Sequence, residues 1–284
     1  LDGTLRKVNG VLPLVRTAKE KGFKEVYVPE ENREEAALIR GIKVYGIATL
    51  GELVDHLDEK RDKATAQKKL APSRETVIAY TEAQFPIDIS DVRRQEAAKR
   101  ALEIAAAGGH NVALYGPAGT GKTMLARAFS SILPPLSEEE VLEVTSIHSV
   151  AGVLRETYLI APPFRSPHHT ASYVSLVGGT ANPRPGEITL AHRGVLFLDE
   201  FPEFERRVLE ALREPLEDKT VSVSRSRGTV RFPANFILIA AMNPCPCGNS
   251  GTIKKCLCLP GNIERYRRKL SGPINGRSKF SPMR

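Results

Sequence analysis

Residues 116–123 read Gly-Pro-Ala-Gly-Thr-Gly-Lys-Thr, which fits the G-x-x-x-x-G-K-[ST] pattern of a phosphate-binding loop. An apolar segment precedes the pattern and a helical one follows it, so backbone N–H groups and a helix N-terminus can face phosphate oxygens. We predict that Lys122 contacts the β- and γ-phosphates of ATP and that the Thr123 hydroxyl binds Mg²⁺. The predicted nucleotide-binding residues are Gly116, Pro117, Ala118, Gly119, Thr120, Gly121, Lys122, Thr123 and Met124.

Two carboxylates follow a second apolar segment, residues 195–198. This arrangement is typical of a Walker B element, in which Asp199 binds Mg²⁺ and Glu200 activates the attacking water. Capping of the next helix is the alternative, but the phosphate-binding loop upstream favours the catalytic interpretation. Asn243 ends a third apolar segment, residues 236–242, and we predict that its amide orients the same water.

All four cysteines lie close together, as two C-x-C pairs. Such clustering favours a metal site or reduced thiols over a disulfide framework. Four thiolates suit a tetrahedral zinc ion with a structural role, because no coordination position remains for water. Zinc is the favoured interpretation, reduced thiols are the alternative, and the residues are Cys245, Cys247, Cys256 and Cys258.

The elements that must position these residues alternate between helical and apolar strand patterns. Continuous apolar strands are typical of a parallel sheet buried on both faces, so the chain is predicted to have an α/β fold. In the second part of the chain the predicted helices are 95–106 and 122–132, the strands are 111–115, 195–198 and 236–242, and 156–193 is an insertion. Residues 1–57 form a smaller α/β unit with helices 11–21, 32–39 and 50–57, strands 25–28 and 43–47, and residues 58–87 form a linker.

A predicted β-hairpin, residues 220–232, carries three arginines. We predict that Arg225, Arg227 and Arg231 contact DNA phosphates, with solvated side chains as the alternative. The net charge of +8 does not distinguish DNA contact from solvated side chains. The excess lies after Thr252, where nine basic residues accompany one acidic residue, and such a basic segment is as typical of a solvated chain end as of a DNA-binding surface. His168, His169 and His192 are expected to pack and form hydrogen bonds rather than bind a metal.

Composition excludes several classes of protein. A hydrophobic content of 41% excludes a disordered chain. No apolar run approaches the ~18 residues needed to cross a bilayer, and no secretory signal is recognisable at Leu1, so the protein is expected to be cytoplasmic and free of membrane contact. Because the chain begins with Leu, we also expect it to be a fragment.

These elements, in this order, resemble an AAA+ ATPase, and longer stretches resemble its magnesium-chelatase-like ComM/YifB family. The stretches are residues 91–95, 105–111, 163–170, 186–204 and 243–248. The resemblance covers about residues 88–273 and implies a P-loop NTPase core with a parallel sheet. It also implies a homo-oligomeric, hexameric ring that hydrolyses ATP and promotes branch migration on DNA. The alternatives are a magnesium-chelatase motor subunit and a nucleotide-binding scaffold with little hydrolysis.

The resemblance extends to both ends of the chain. It implies that residues 1–57 are a partial Lon-protease-like domain, and an inactive one, because Leu12 stands where the catalytic lysine of such proteases would lie. At the other end, residues 274–284 depart from the family and the lid domain is expected to be absent. There, Arg277 falls in register with the arginine that serves a neighbouring subunit's active site, so it is a predicted catalytic residue.

Overall fold

The computed structural model describes residues 2–58, 69–81, 85–179, 184–225, 228–271 and 281–283. Within these ranges the helices are α1 Val11–Glu20, α2 Arg33–Ala36, α3 Leu50–Leu57, α4 Glu96–Gly108, α5 Lys122–Ala128, α6 Glu138–Ala151, α7 Tyr173–Val177, α8 Glu187–Leu190, α9 Arg206–Glu210, α10 Arg213–Asp218 and α11 Pro260–Ser271. The strands are β1 Glu25–Pro29, β2 Lys43–Ile47, β3 Val112–Tyr115, β4 Phe164–Arg165, β5 Val195–Leu198, β6 Thr220–Arg225, β7 Gly228–Pro233, β8 Ile237–Met242 and β9 Ser281–Met283.

The chain divides into two compact units, and the larger one contains a parallel sheet. This second unit comprises Glu82–Leu136 and Ala161–Arg284. Among the described residues its sheet has five strands in the order β4-β5-β8-β3-β9, all of them parallel. The structure confirms the predicted α/β fold, and β5 is buried along its whole length because helices cover both faces of the sheet.

The order of the strands determines where their polar ends meet. In the register, β3 and β5 flank β8, with Val112 beside Ile239 and Val195 beside Ile237. Because parallel strands run in the same direction, their carboxyl ends lie on one edge of the sheet, where ligands bind in open α/β folds. The residues that follow β3, β5 and β8 therefore share that edge.

Two predicted helices are shorter in the structure. The helix predicted over 122–132 is α5 followed by a 3₁₀ segment, Phe129–Ile132. The helix predicted over 32–39 is reduced to α2, because the N–H groups of Leu38 and Ile39 bond three residues back. Helix α3 begins as predicted, with the Thr49 hydroxyl accepting a hydrogen bond from the Glu52 N–H at 3.3 Å.

The first unit does not have the predicted boundaries. It comprises Leu1–Thr81 and also Ser137–Ile160, a segment that we predicted to lie within the ATPase core. The reason is a buried polar contact that joins α6 to this unit: Ser149 Oγ accepts from the Gly10 N–H at 2.9 Å and donates to Glu35. Helix α6 packs there beside α1, and strands β1 and β2 form a parallel pair.

The described part of the predicted linker also belongs to the first unit. The N–H of Ser73 donates to the carbonyl of Val44 at 2.7 Å, and the N–H of Thr76 donates to the carbonyl of Ala37 at 3.0 Å. Residues 69–81 therefore follow the surface of this unit, and the compact unit extends beyond residue 57. Within the described ranges, no helix combines the length and the apolar character needed to span a membrane.

Candidate functional site

The phosphate-binding loop lies between β3 and α5, in the second unit. Gly119 and Gly121 have φ angles of 80° and 81°, which side chains with a Cβ rarely adopt, so glycine suits both positions. Within the loop, the Thr120 hydroxyl donates a hydrogen bond to the Pro117 carbonyl at 2.9 Å. Gln95, which lies outside the loop, stabilises it further, because its Nε2 donates to the Thr120 carbonyl at 2.8 Å.

Lys122 lies at the centre of this loop. Its Nζ donates to the carbonyls of Gly116 and Pro117 at 2.8 and 2.7 Å. It also donates to Asn243 Oδ1 at 3.1 Å, which joins the loop to the end of β8. Burial lowers the pKa of the Lys122 ammonium, and the nearby Asp199 carboxylate opposes that shift. Met124, the last predicted nucleotide-binding residue, lies in the first turn of α5 and is partly exposed.

The oxygen atoms predicted to bind Mg²⁺ also meet. Thr123 Oγ1 donates to Asp199 Oδ2 at 2.8 Å, which joins the start of α5 to the end of β5. Hydroxyl and carboxylate oxygens are the ligands that Mg²⁺ prefers, so the donor set fits this ion. The structure thus brings Lys122, Thr123, Asp199 and Asn243 together on one edge of the sheet.

Glu200 has an unusual backbone and an unexpected partner. Its φ and ψ angles of 50° and 42° lie in the left-handed region, which is rare for a residue other than glycine. Its Oε2 lies 3.1 Å from Nδ1 of His169, in the segment between β4 and α7. Sequence reasoning missed this contact, because nothing in the spacing of the two residues indicates it.

The other two histidines form hydrogen bonds, as expected. The Nδ1 atom of His192 accepts from the Asn235 N–H at 3.0 Å, and Nδ1 of His168 lies 2.8 Å from the Thr170 hydroxyl.

A further residue absent from the predictions is Tyr266 of α11. Its burial and the carboxylates of Glu203 and Glu200 raise the pKa of the Tyr266 hydroxyl to about 12, so this side chain lies near the same acidic edge.

The four cysteine sulfur atoms converge. Cys245 Sγ lies 3.4 Å from Cys247 Sγ and 3.6 Å from Cys256 Sγ, and all four sulfurs, Cys258 included, lie within 4.8 Å of one another. These separations are too long for a disulfide bond, whose sulfurs are about 2.05 Å apart. Four ligands about 2.3 Å from a tetrahedral zinc ion would have sulfurs about 3.8 Å apart, so the arrangement fits that ion. The Asn249 N–H and the Cys245 thiol lower the pKa of Cys247 to about 6.

The arginines predicted to contact DNA are only partly described. Strands β6 and β7 form the predicted antiparallel hairpin, in which Arg225 pairs with Gly228 and Ser222 pairs with Arg231. Arg231 is exposed. Arg227 and the predicted finger residue Arg277 lie outside the described residues.

Comparison with known proteins gives matches over nearly the whole chain. A family model described as magnesium chelatase, subunit ChlI, matches residues 88–281. An uncharacterised protein of Mycobacterium tuberculosis H37Rv is 47% identical over 277 residues, covering 96% of this chain and 53% of that protein. The competence protein ComM of Haemophilus influenzae is 44% identical over 285 residues, covering 99% of this chain and 54% of that protein. The uncharacterised protein YifB of Escherichia coli is 44% identical over 283 residues, with the same two coverages.

The chain spans about half the length of the curated relatives it matches. Among solved structures, NtrX from Brucella abortus in complex with ADP is similar, with 20% identity and a TM-score of 0.39. That similarity covers 67% of this chain and 37% of the NtrX chain.

Proposed function

Because this chain belongs to the magnesium chelatase subunit ChlI family, in its ComM/YifB group, we propose that it is an AAA+ ATPase motor. The observation that carries the proposal is the meeting of Lys122, Thr123 and Asp199 with Asn243 where three adjacent parallel strands end. Phosphoryl transfer needs positioning and charge stabilisation more than covalent chemistry, and this edge of the sheet supplies both.

Each side chain then has a separate task. Lys122 replaces its present carbonyl partners with phosphate oxygens, which are stronger acceptors because they are charged. Thr123 and Asp199 would hold Mg²⁺, which would supply positive charge to neutralise the phosphates of ATP. Glu200 accepts the proton of the attacking water, and Asn243 orients that water.

Steady-state hydrolysis tests this proposal. The wild-type protein should release phosphate from ATP only when Mg²⁺ is present. Glu200→Gln should still bind ATP but lose about 10²–10⁴-fold in turnover, because the amide cannot accept a proton. Wild-type protein without Mg²⁺-dependent turnover would contradict the proposed ATPase, and full turnover in Glu200→Gln would assign the base to another residue.

We further propose that the motor acts on DNA as a homohexameric ring and promotes branch migration. Support comes from the similarity to competence protein ComM and from the hairpin β6–β7, whose Arg231 is exposed. The family description instead favours a chelatase motor subunit as the second candidate. Branch-migration assays on a four-way DNA junction, run beside assays of metal insertion into a porphyrin, would separate the two functions.

We also propose that the first unit is a Lon-protease-like module without catalytic activity. Leu12 stands where the catalytic lysine of Lon-type proteases is expected. It lies in the first turn of α1 and is only 1% exposed. An apolar side chain buried there contributes to packing and cannot exchange protons, so the unit should not cleave a peptide substrate.

Zinc is the second metal ion that we propose for this chain. The donor set of four thiolates is the one that structural zinc sites use, and the sulfurs are arranged about a common centre. Cys245 is fully buried, whereas Cys247 is exposed, so the cluster is partly buried at the surface of the second unit. Bound zinc would close the loop from Cys245 to Cys258 without an open position for chemistry.

A further inference from the structure

The turn between β4 and α7 holds a histidine that none of these tasks uses. The Ala171 N–H donates to the His168 carbonyl at 2.8 Å, so residues 168–171 form a tight turn with His169 at its second position. Before the turn, Arg165 donates two short hydrogen bonds to Glu187, at 2.6 and 2.7 Å. The segment that leads into the turn is therefore anchored to α8 by contacts that do not involve His169.

After the turn, α7 is fixed as well. The Ser172 hydroxyl accepts from the Ser175 N–H at 3.2 Å, which caps the helix at its N-terminus. The buried side chains of Leu176 and Val177 then join the apolar core that also contains β5. The position of His169 is thus set by elements on both sides of it.

His169 faces the carboxylate that is proposed to activate water. Its Nδ1 lies 3.1 Å from Glu200 Oε2, and the two side chains are 30% and 51% exposed. The ring of His168 packs on the His169 ring, with centroids 4.1 Å apart, and this limits its rotation. A half-exposed glutamate has several accessible rotamers, so a close polar contact with a restrained ring favours one orientation of its carboxylate.

The backbone of Glu200 is restrained at the same place. Its N–H donates to Asp199 Oδ1 at 2.9 Å, and its carbonyl accepts from the Glu203 N–H at 2.7 Å. Left-handed geometry in a residue other than glycine is maintained only where the surroundings impose it, and such positions concentrate at functional sites. The backbone sets the starting direction of the side chain, and His169 contacts its end.

We propose that His169 is a positioning residue for ATP hydrolysis, which holds the Glu200 carboxylate in the orientation that accepts a proton from the attacking water. This inference rests on the proposed ATPase function. In the step, the water oxygen bonds to the γ-phosphorus while the bond to the β–γ bridging oxygen breaks. The water proton goes to Glu200, and ADP leaves with the bridging oxygen. His169 neither gains nor loses a proton and acts only through Glu200, as an orienting group acts on a general base.

Three variants of the protein test this role, with turnover and ATP affinity measured separately. His169→Ala should lower kcat by about 10- to 100-fold, the cost of a misplaced catalytic group, and leave KM and the affinity for ATP unchanged. His169→Asn should recover most of the activity, because its amide nitrogen can reach the place of Nδ1. The matched control is His110→Asn, which changes a partly buried histidine between α4 and β3, at the amino end of that strand, and it should stay within about two-fold of wild type.

A second measurement asks whether His169 acts through Glu200. In a Glu200→Gln background, His169→Ala should have little further effect, because residues that act as a unit are not additive. Additive losses, an equal loss in His110→Asn, or full turnover in His169→Ala would each overturn the inference. Wild-type protein that does not hydrolyse ATP would instead overturn the proposed function, so the two failures are distinguishable.

Discussion

At the scale of single residues, Lys122 connects the phosphate-binding loop to the end of β8. Its three hydrogen bonds all go to oxygen acceptors, two of them backbone carbonyls. We expect Lys122→Ala to weaken ATP binding by about 10- to 100-fold, the equivalent of about 1.5–3 kcal/mol for a hydrogen bond to a charged group. Titration with a fluorescent ATP analogue measures this change.

The matched control for that substitution is Lys99→Ala. Lys99 is also in the second unit, and its ammonium lies 3.5 Å from Glu96, one turn away on α4. The Lys99→Ala substitution removes the same charge without altering the phosphate-binding loop, so ATP affinity should remain that of the wild type. Unchanged affinity in Lys122→Ala would contradict the assignment of the phosphate-binding loop.

Residue types at fixed spacings were enough to predict most of the site's members. Lys122 and Thr123 belong to one local motif, and Asp199 and Asn243 each follow an apolar strand, so the sheet brings them together. His169 could not be predicted in the same way. Its contact with Glu200 depends on the conformation of a turn in a long insertion and on a left-handed backbone angle at Glu200, and neither leaves a periodic signal.

At the scale of elements, strands were predicted more accurately than the packing of helices. The predicted bounds of β5 match the structure to the residue, because a run of four successive apolar residues is a direct sequence signal of a buried strand. Helix α6 was not predicted, although its capping box, Ser137 with Glu140, is a recognisable signal in the sequence. Its place in the first unit depends on the contact of Ser149 with Glu35, which is specific to the folded chain.

The loop from Cys245 to Cys258 is an element whose stability we expect to depend on zinc. Its Gly248 lies against the phosphate-binding loop, since a Cβ added there would be 3.7 Å from the Ala118 Cβ and 4.0 Å from the Asn243 Cγ. Protein purified without chelators should therefore contain about one zinc ion per chain by elemental analysis. Removing zinc should weaken ATP binding, because the loop that contacts both residues loses its cross-link.

Cys256→Ser should lower the zinc content and the ATP affinity together. Lys254→Ala, an exposed position in the same loop, is the matched control and should change neither. Metal-free protein that unfolds at the same temperature and binds ATP as tightly would contradict the zinc site and favour reduced thiols.

At the scale of the whole molecule, two sources of positive charge compete as the explanation for any DNA binding. One is the hairpin β6–β7 with Arg225, Arg227 and Arg231, and the other is the basic segment after Thr252. A basic segment attracts DNA through phosphate charge alone, without dependence on ATP. A hairpin that contacts DNA within a ring should instead couple binding to the nucleotide state.

We expect the double substitution of Arg225 and Arg227 by Ala to weaken DNA binding and to reduce the slope of log K against log salt by about two phosphate contacts. ATP affinity should not change. The matched control replaces Arg100 and Arg206, whose exposed side chains are paired with Glu103 and Glu210 at 2.9 Å, and so removes the same charge elsewhere. Deleting residues 274–284 should remove only weak, salt-sensitive binding. If the hairpin variant binds and remodels branched DNA as well as the control does, the contact surface lies outside the hairpin, because equal losses of charge would then have equal effects.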